Sequence, residues 1–154
     1  MSTQPALIAV VTALSLATSL PALAMNEDAH QTCKGKNSPQ SLIKRYLEAM
    51  QNHSTSMMKP LFTPDGSVVS TSVGNSAAIP FYEEFLPEIK SATVELGEIY
   101  RSMSNKDHYS ASFIFKFTLK DGASEGGSYS DEFYINSKTC KLQKVIMYEN
   151  LKVN

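Results

Sequence analysis

An α+β domain, with N-terminal helices packed on the concave face of a curved antiparallel sheet, is the fold class that this sequence predicts. Two observations carry it. Apolar residues recur at helical spacing as far as Ile89 and alternate with polar ones from Thr93 onward, a change of period that marks helices followed by strands. The strongest pattern is Tyr109, Ala111, Phe113, Phe115, Phe117 and Leu119, which alternate with Ser110, Ser112, Ile114, Lys116 and Thr118. A sheet face this aromatic must be covered, and the helices ahead of it are the cover.

The chain opens with residues 1–24, which contain no Lys, Arg, Asp or Glu, and the apolar run from Ala6 to Ala17 is too short to span a bilayer. Small residues at Ala22 and Ala24 match a signal-peptidase site, so this stretch reads as a signal peptide and the mature chain as starting at Met25. A buried N-terminal helix is the competing reading. Export implies a secreted or periplasmic protein without a membrane anchor, and about 130 residues remain, enough for one domain. Residues 25–37 form a polar lead-in, held only if Cys33 is bridged. An oxidising compartment favours a Cys33–Cys140 disulfide over two unpaired thiols, and neither cysteine lies in a Cys-x-x-Cys motif, which argues against a redox catalyst.

The domain proper is expected over residues 38–150, followed by a short tail at 151–154. Ser38 is a suitable N-cap and Pro39 suits the first helical position; Leu42, Ile43, Tyr46, Leu47 and Met50 make the apolar stripe of the first helix. A short second helix is expected from Ser54 or Ser56 to about Phe62, stopped by the Pro64-Asp65-Gly66 turn, and Ser67 to Ser70 reads as a short strand. Ser72 to Asn75 reads as loop. Ile79, Tyr82, Phe85, Leu86 and Ile89 return to helical spacing, with Pro87 placed to kink or end the helix. Four strands follow, at about Thr93 to Met103, Tyr109 to Leu119, Ser128 to Ile135 and Leu142 to Glu149. The turns between them carry Asn105-Lys106-Asp107, Asp121-Gly122 with Gly126-Gly127, and Asn136-Ser137-Lys138, the chemistry of an antiparallel meander.

Composition excludes several functions. With 14 Lys and Arg scattered among 15 Asp and Glu, nothing marks a nucleic-acid surface. His30, His53 and His108 show no metal-ligand spacing, and no nucleophile elbow, phosphate loop or dinucleotide fingerprint occurs, so no metal or cofactor is expected. The residue that stands out is Asp131. Tyr129, Asp131, Phe133 and Ile135 share one face of their strand, which places a carboxylate among aromatic rings. Such a group is protonated, hydrogen-bonded or open to a pocket, and desolvation raises its pKa.

The order helix, short helix, Leu61-Phe62-Thr63-Pro64-Asp65-Gly66-Ser67-Val68, helix with Phe81-Tyr82, then four-stranded meander resembles the nuclear transport factor 2-like superfamily and its SnoaL-like branch. The resemblance implies a cystatin-like cone of curved sheet closed by helices, often with a small apolar ligand inside. Members include isomerases, cyclases, dehydratases, epoxide hydrolases and binding or assembly domains. Lys44-Arg45-Tyr46-Leu47-Glu48-Ala49 is similar to the ketosteroid isomerase segment that carries the catalytic tyrosine, and Ser130-Asp131-Glu132-Phe133-Tyr134-Ile135-Asn136 to the strand carrying the protonated aspartic donor. Their general base would fall at Ser70, and a serine takes up no proton at neutral pH.

These readings lead to an exported, non-catalytic domain that binds a small apolar molecule, with Tyr46, Ser70, Tyr82, Tyr100, Phe113, Phe115 and Asp131 as candidate ligand-binding residues. Core packing is the competing role for Tyr46 and the other tyrosines, and a structural hydrogen bond is the competing role for Asp131. Two alternatives stand beside this one. The first is an isomerase, lyase or cyclase acting on a carbonyl compound, with Tyr46 and Asp131 as catalytic candidates and a base such as Glu98. The second is a dimeric scaffold using the outer sheet face at Ile114 and Tyr134.

Overall fold

The computed structural model describes residues 33–152. The expected signal peptide at 1–24 and most of the lead-in lie outside the described residues. After a turn of 3₁₀ helix at Gly35–Asn37, α1 spans Pro39–Gln51, and the Ser38 hydroxyl accepts from the Ser41 N–H at 3.3 Å as its N-cap. Leu42, Ile43, Tyr46, Leu47, Ala49 and Met50 are buried, and burying each leucine, isoleucine or methionine among them stabilises by roughly 1.5 to 3 kcal/mol. The second helix is short, α2 at Thr55–Met58, and continues as a 3₁₀ turn to Leu61. The third, α3, spans Ala78–Phe85 and ends in a 3₁₀ turn containing Pro87, which cannot extend the helical hydrogen bonding.

Seven strands make one sheet: β1 at Phe62–Ser70, β2 at Gly74–Ala77, β3 at Ile89–Arg101, β4 at His108–Leu119, β5 at Ser124–Asn136, β6 at Lys141–Ile146 and β7 at Glu149–Lys152. The order is β2-β1-β6-β5-β4-β3, with β7 also pairing β5. Strands β3 to β6 form the expected antiparallel meander, and β1 joins it by pairing parallel to β6. The α1 helix lies against β3 and β4, and α3 against β1, so the helices cover the aromatic face.

Three local readings are corrected. The Pro64-Asp65-Gly66 stretch is not a stop before a short strand but an irregularity inside β1, where the register with β6 shifts between Phe62 and Ser67. Ser72 to Asn75 is the turn of a β1–β2 hairpin in which Ser70 faces Gly74 and Ser67 faces Ala77. The last strand breaks at Met147-Tyr148 into β6 and β7, and β7 runs to Lys152 by pairing with Gly127, so Leu151 and Lys152 of the expected 151–154 tail belong to the sheet.

The pairing register decides which side chains face the helices. Tyr109, Ala111, Phe113, Phe115 and Phe117 on β4 lie opposite Phe133, Asp131, Tyr129, Gly127 and Glu125 on β5, and directly opposed residues share a face. Gly126 allows this close fit: it sits at φ +123°, and a Cβ there would come within 2.1 Å of the Phe115 carbonyl oxygen. The outer face is polar by comparison. Ile114 is half-buried beside Ser112 and Ser128, and Tyr134 stacks on His108 at 4.2 Å with Lys144 over its ring. Cys33 and Cys140 are disulfide-bonded, fastening the start of the domain to the β5–β6 turn. Among the described residues no helix is long and apolar enough to cross a membrane.

Candidate ligand cavity

Between the helices and the inner sheet face lies a cavity of about 960 Å³, at the upper end of the range usual for small-molecule sites. Met50, Phe81, Phe85, Phe113, Phe115 and Phe117 supply much of its apolar wall. Tyr46, Tyr82 and Asp131 meet in it, brought together from α1, α3 and β5.

Tyr46 follows from the stripe of α1: its ring is fully buried and packs edge-on against Phe133 at 5.2 Å and Tyr82 at 6.0 Å. Its hydroxyl pairs with that of Tyr82 at 2.7 Å. Burial, then the neighbouring Tyr82 and Asp131, holds the Tyr46 phenol well above the ordinary tyrosine range. Burial likewise raises Tyr82, so both remain neutral hydrogen-bonding groups. The core and site readings of Tyr46 thus describe two parts of one side chain, a ring packed among rings and a hydroxyl among polar groups.

Asp131 is 2% exposed. Burial pushes its carboxyl from 3.8 up to about 8, against the opposing pull of the Tyr148 backbone and the Tyr46 hydroxyl. At neutral pH it is chiefly the uncharged acid, a donor as well as an acceptor. Its Oδ1 atom is buried and has no hydrogen-bond partner among the described residues. A buried polar atom left unmatched costs about 1 to 3 kcal/mol, and a ligand atom in the cavity would recover that.

Of the other candidates, Phe113, Phe115 and Ser70 line the cavity. Ser70 closes β1, and its Oγ is engaged with Ser72 Oγ at 3.0 Å and the Val73 N–H at 3.3 Å. Tyr100 does not belong there: it is 60% exposed and lies opposite Ser110 on the outer face. A bulge in β3 between Leu96 and Ile99 reverses the alternation, placing Ile99 rather than Tyr100 on the inner side. Gly97 marks the bulge, since a Cβ there would lie 2.7 Å from Ser112 Oγ. The same irregularity leaves Glu98 exposed and outside the cavity wall. Two wall residues that sequence reasoning missed are Glu125 and Glu149. Glu125 was readable from the β5 alternation, but Glu149 depends on the break before β7. Among the described residues no group of His, Cys, Asp and Glu is arranged to hold a metal ion.

Curved sheet, helical cover and cavity define the nuclear transport factor 2-like fold, and comparison with solved structures shows that this chain has it. A Mycobacterium tuberculosis protein solved in complex with estradiol-17beta-hemisuccinate aligns with a TM-score of 0.59 at 17% identity, over 71% of this chain and 92% of that one. The Δ5-3-ketosteroid isomerase from Mycobacterium sp. aligns with a TM-score of 0.59 at 13% identity, over 72% and 92%. SalBIII, an epoxide hydrolase/cyclase-like enzyme of pyran ring formation in salinomycin, gives 0.59 at 10% identity, over 73% and 90%. No family model and no curated protein matches the sequence.

Proposed function

We propose that this protein is an exported, non-catalytic carrier or receptor that holds a small apolar ligand in the cavity, with Tyr46 and Asp131 as its polar anchors. The observation that carries the reading is the unpartnered Oδ1 of a buried, uncharged Asp131 in a cavity wall that also holds the rings of Tyr46, Tyr82, Phe113 and Phe115. A neutral acid and a tyrosine hydroxyl at one end favour a ligand with an acceptor such as a carbonyl or hydroxyl oxygen. The M. tuberculosis protein, which has the same fold, is solved with an estradiol conjugate, a small molecule with a largely apolar body. Ser70 at the position of the isomerase base supports binding without turnover, because its hydroxyl is held in a turn and carries no proton acceptor of suitable pKa.

Native mass spectrometry of the chain produced in an exporting host tests both halves. The expected result is a protein beginning at Met25 that carries a small-molecule adduct, with the adduct lost in Asp131→Ala and Tyr46→Ala. If the folded protein stays empty when challenged with apolar ketones and alcohols, the carrier reading fails; if the chain retains residues 1–24, the export reading fails.

One observation favours an enzymatic reading as a second choice: Glu149 lines the same cavity as Asp131, so a carboxylate is present that could serve as base to a carbonyl substrate held by Asp131 and Tyr46. Proton exchange next to the carbonyl of a bound ketone, abolished by Glu149→Gln, would establish it.

A further inference from the structure

The charges around the cavity are one-sided once the sheet alternation is followed. Glu125 lies opposite Phe117, and Glu149 lies opposite Tyr129, so both share the inner face with the aromatic wall. Lys116 contributes to the wall as well, but it alternates with Phe115 and Phe117, and its side chain therefore leaves from the other face. Neither glutamate forms an ion pair among the described residues. Tyr129, opposite Glu149 and four residues along β5 from Glu125, stacks its ring on Phe113 at 5.6 Å and tilts it towards Phe115 at 6.3 Å. Its phenol is pushed up to about 12, first by burial and then by the charges of Glu149, Asp131 and Glu125.

We propose that the ligand is an apolar amine: a molecule whose aromatic or aliphatic body fills the cavity and whose ammonium group sits over Tyr129 between Glu149 and Glu125. The proposal rests on the carrier reading above and names the class of ligand. Aromatic faces attract cations through the negative charge of their π-systems, and the glutamates supply counter-charge without competition from a lysine on the same face. The unpartnered Asp131 Oδ1 fixes the far end of the same molecule, two residues along β5 from Tyr129, a distance of roughly 7 Å. An anionic ligand of the same shape brings its charge against Glu149 and Glu125 and is disfavoured.

Three probes with one body decide it: 1-pyrenemethylamine, 1-pyrenemethanol and 1-pyrenecarboxylate, titrated by pyrene fluorescence into the protein expressed from the full chain. Each carboxylate or aromatic contact at a partly exposed site adds modestly, so the amine is expected to bind about tenfold more tightly than the alcohol. The carboxylate should bind most weakly. The double variant Glu125→Gln/Glu149→Gln should abolish the amine's advantage, whereas Glu95→Gln/Glu98→Gln, an equal change of charge at exposed positions outside the cavity wall, should leave it intact. Equal binding of amine and alcohol, or an advantage that survives the double variant, overturns the amine proposal while leaving the carrier reading standing. Failure of all three probes to bind overturns both.

Discussion

Asp131→Asn is the substitution from which most can be learned. In the folded chain burial raises the carboxyl to about 8, against an ordinary value of 3.8. Between these pH values the folded protein keeps a proton that the unfolded chain has released. Stability from this group is therefore fully present below about pH 4 and declines as pH rises towards about 8, above which it changes no further. The interval of about four pH units corresponds to roughly 5 kcal/mol in all, with roughly 4 kcal/mol of it lost between pH 4 and pH 7. Asparagine keeps the shape of the side chain and a donor but does not titrate. Because all other ionisable groups are shared, the difference in unfolding free energy between the two proteins isolates Asp131. Urea denaturation at intervals from pH 4 to pH 9 should show the asparagine variant gaining on the native protein with the slope of one proton, then levelling near pH 8. A flat difference across this range would mean that the carboxyl ionises as freely in the fold as outside it. The reading of Asp131 as a neutral donor would then be refuted.

Other perturbations test separate parts of the structure. Tyr82→Phe removes the partner of the Tyr46 hydroxyl at 2.7 Å and should cost about 1 to 3 kcal/mol by urea denaturation, with reduced ligand affinity in the same variant. Replacing Cys33 and Cys140 together by serine opens a loop spanning 107 positions, and in the chain-entropy model should lower the unfolding free energy by up to about 4 to 5 kcal/mol. Gly126→Ala combines an unfavourable φ with a collision at 2.1 Å against the Phe115 carbonyl, and should either prevent folding or cost more than about 4 kcal/mol, read as loss of a cooperative thermal transition.

Much of this architecture is legible in the residues because local chemistry and global packing agree in them. The Ser38-Pro39 cap, the Pro87 stop and the alternation from Tyr109 to Leu119 each state their element without reference to anything distant. Asp131 is legible for the same reason, since period two alone puts it among aromatic rings. Tyr100 and Glu98 were misplaced because one extra residue in a strand reverses every later side chain, and the only local sign of it was Gly97. Glu149 was missed because the break at Met147-Tyr148 is set by pairing with β5, a strand that ends more than ten residues earlier in the chain. What eludes a linear reading here is register, which depends on two segments at once.

The Cys33–Cys140 bond also sets a direction. Cys140 follows the end of β5 at Asn136, whereas Glu125 stands near the other end of that strand, roughly 35 Å away at the usual rise per residue. The described chain thus begins at the pole of the cone remote from Glu125 and Tyr129. A tag, bead or surface joined ahead of Cys33 would hold the molecule by its back and leave that end of the cavity turned outward, so immobilised protein should bind ligand as well as free protein does.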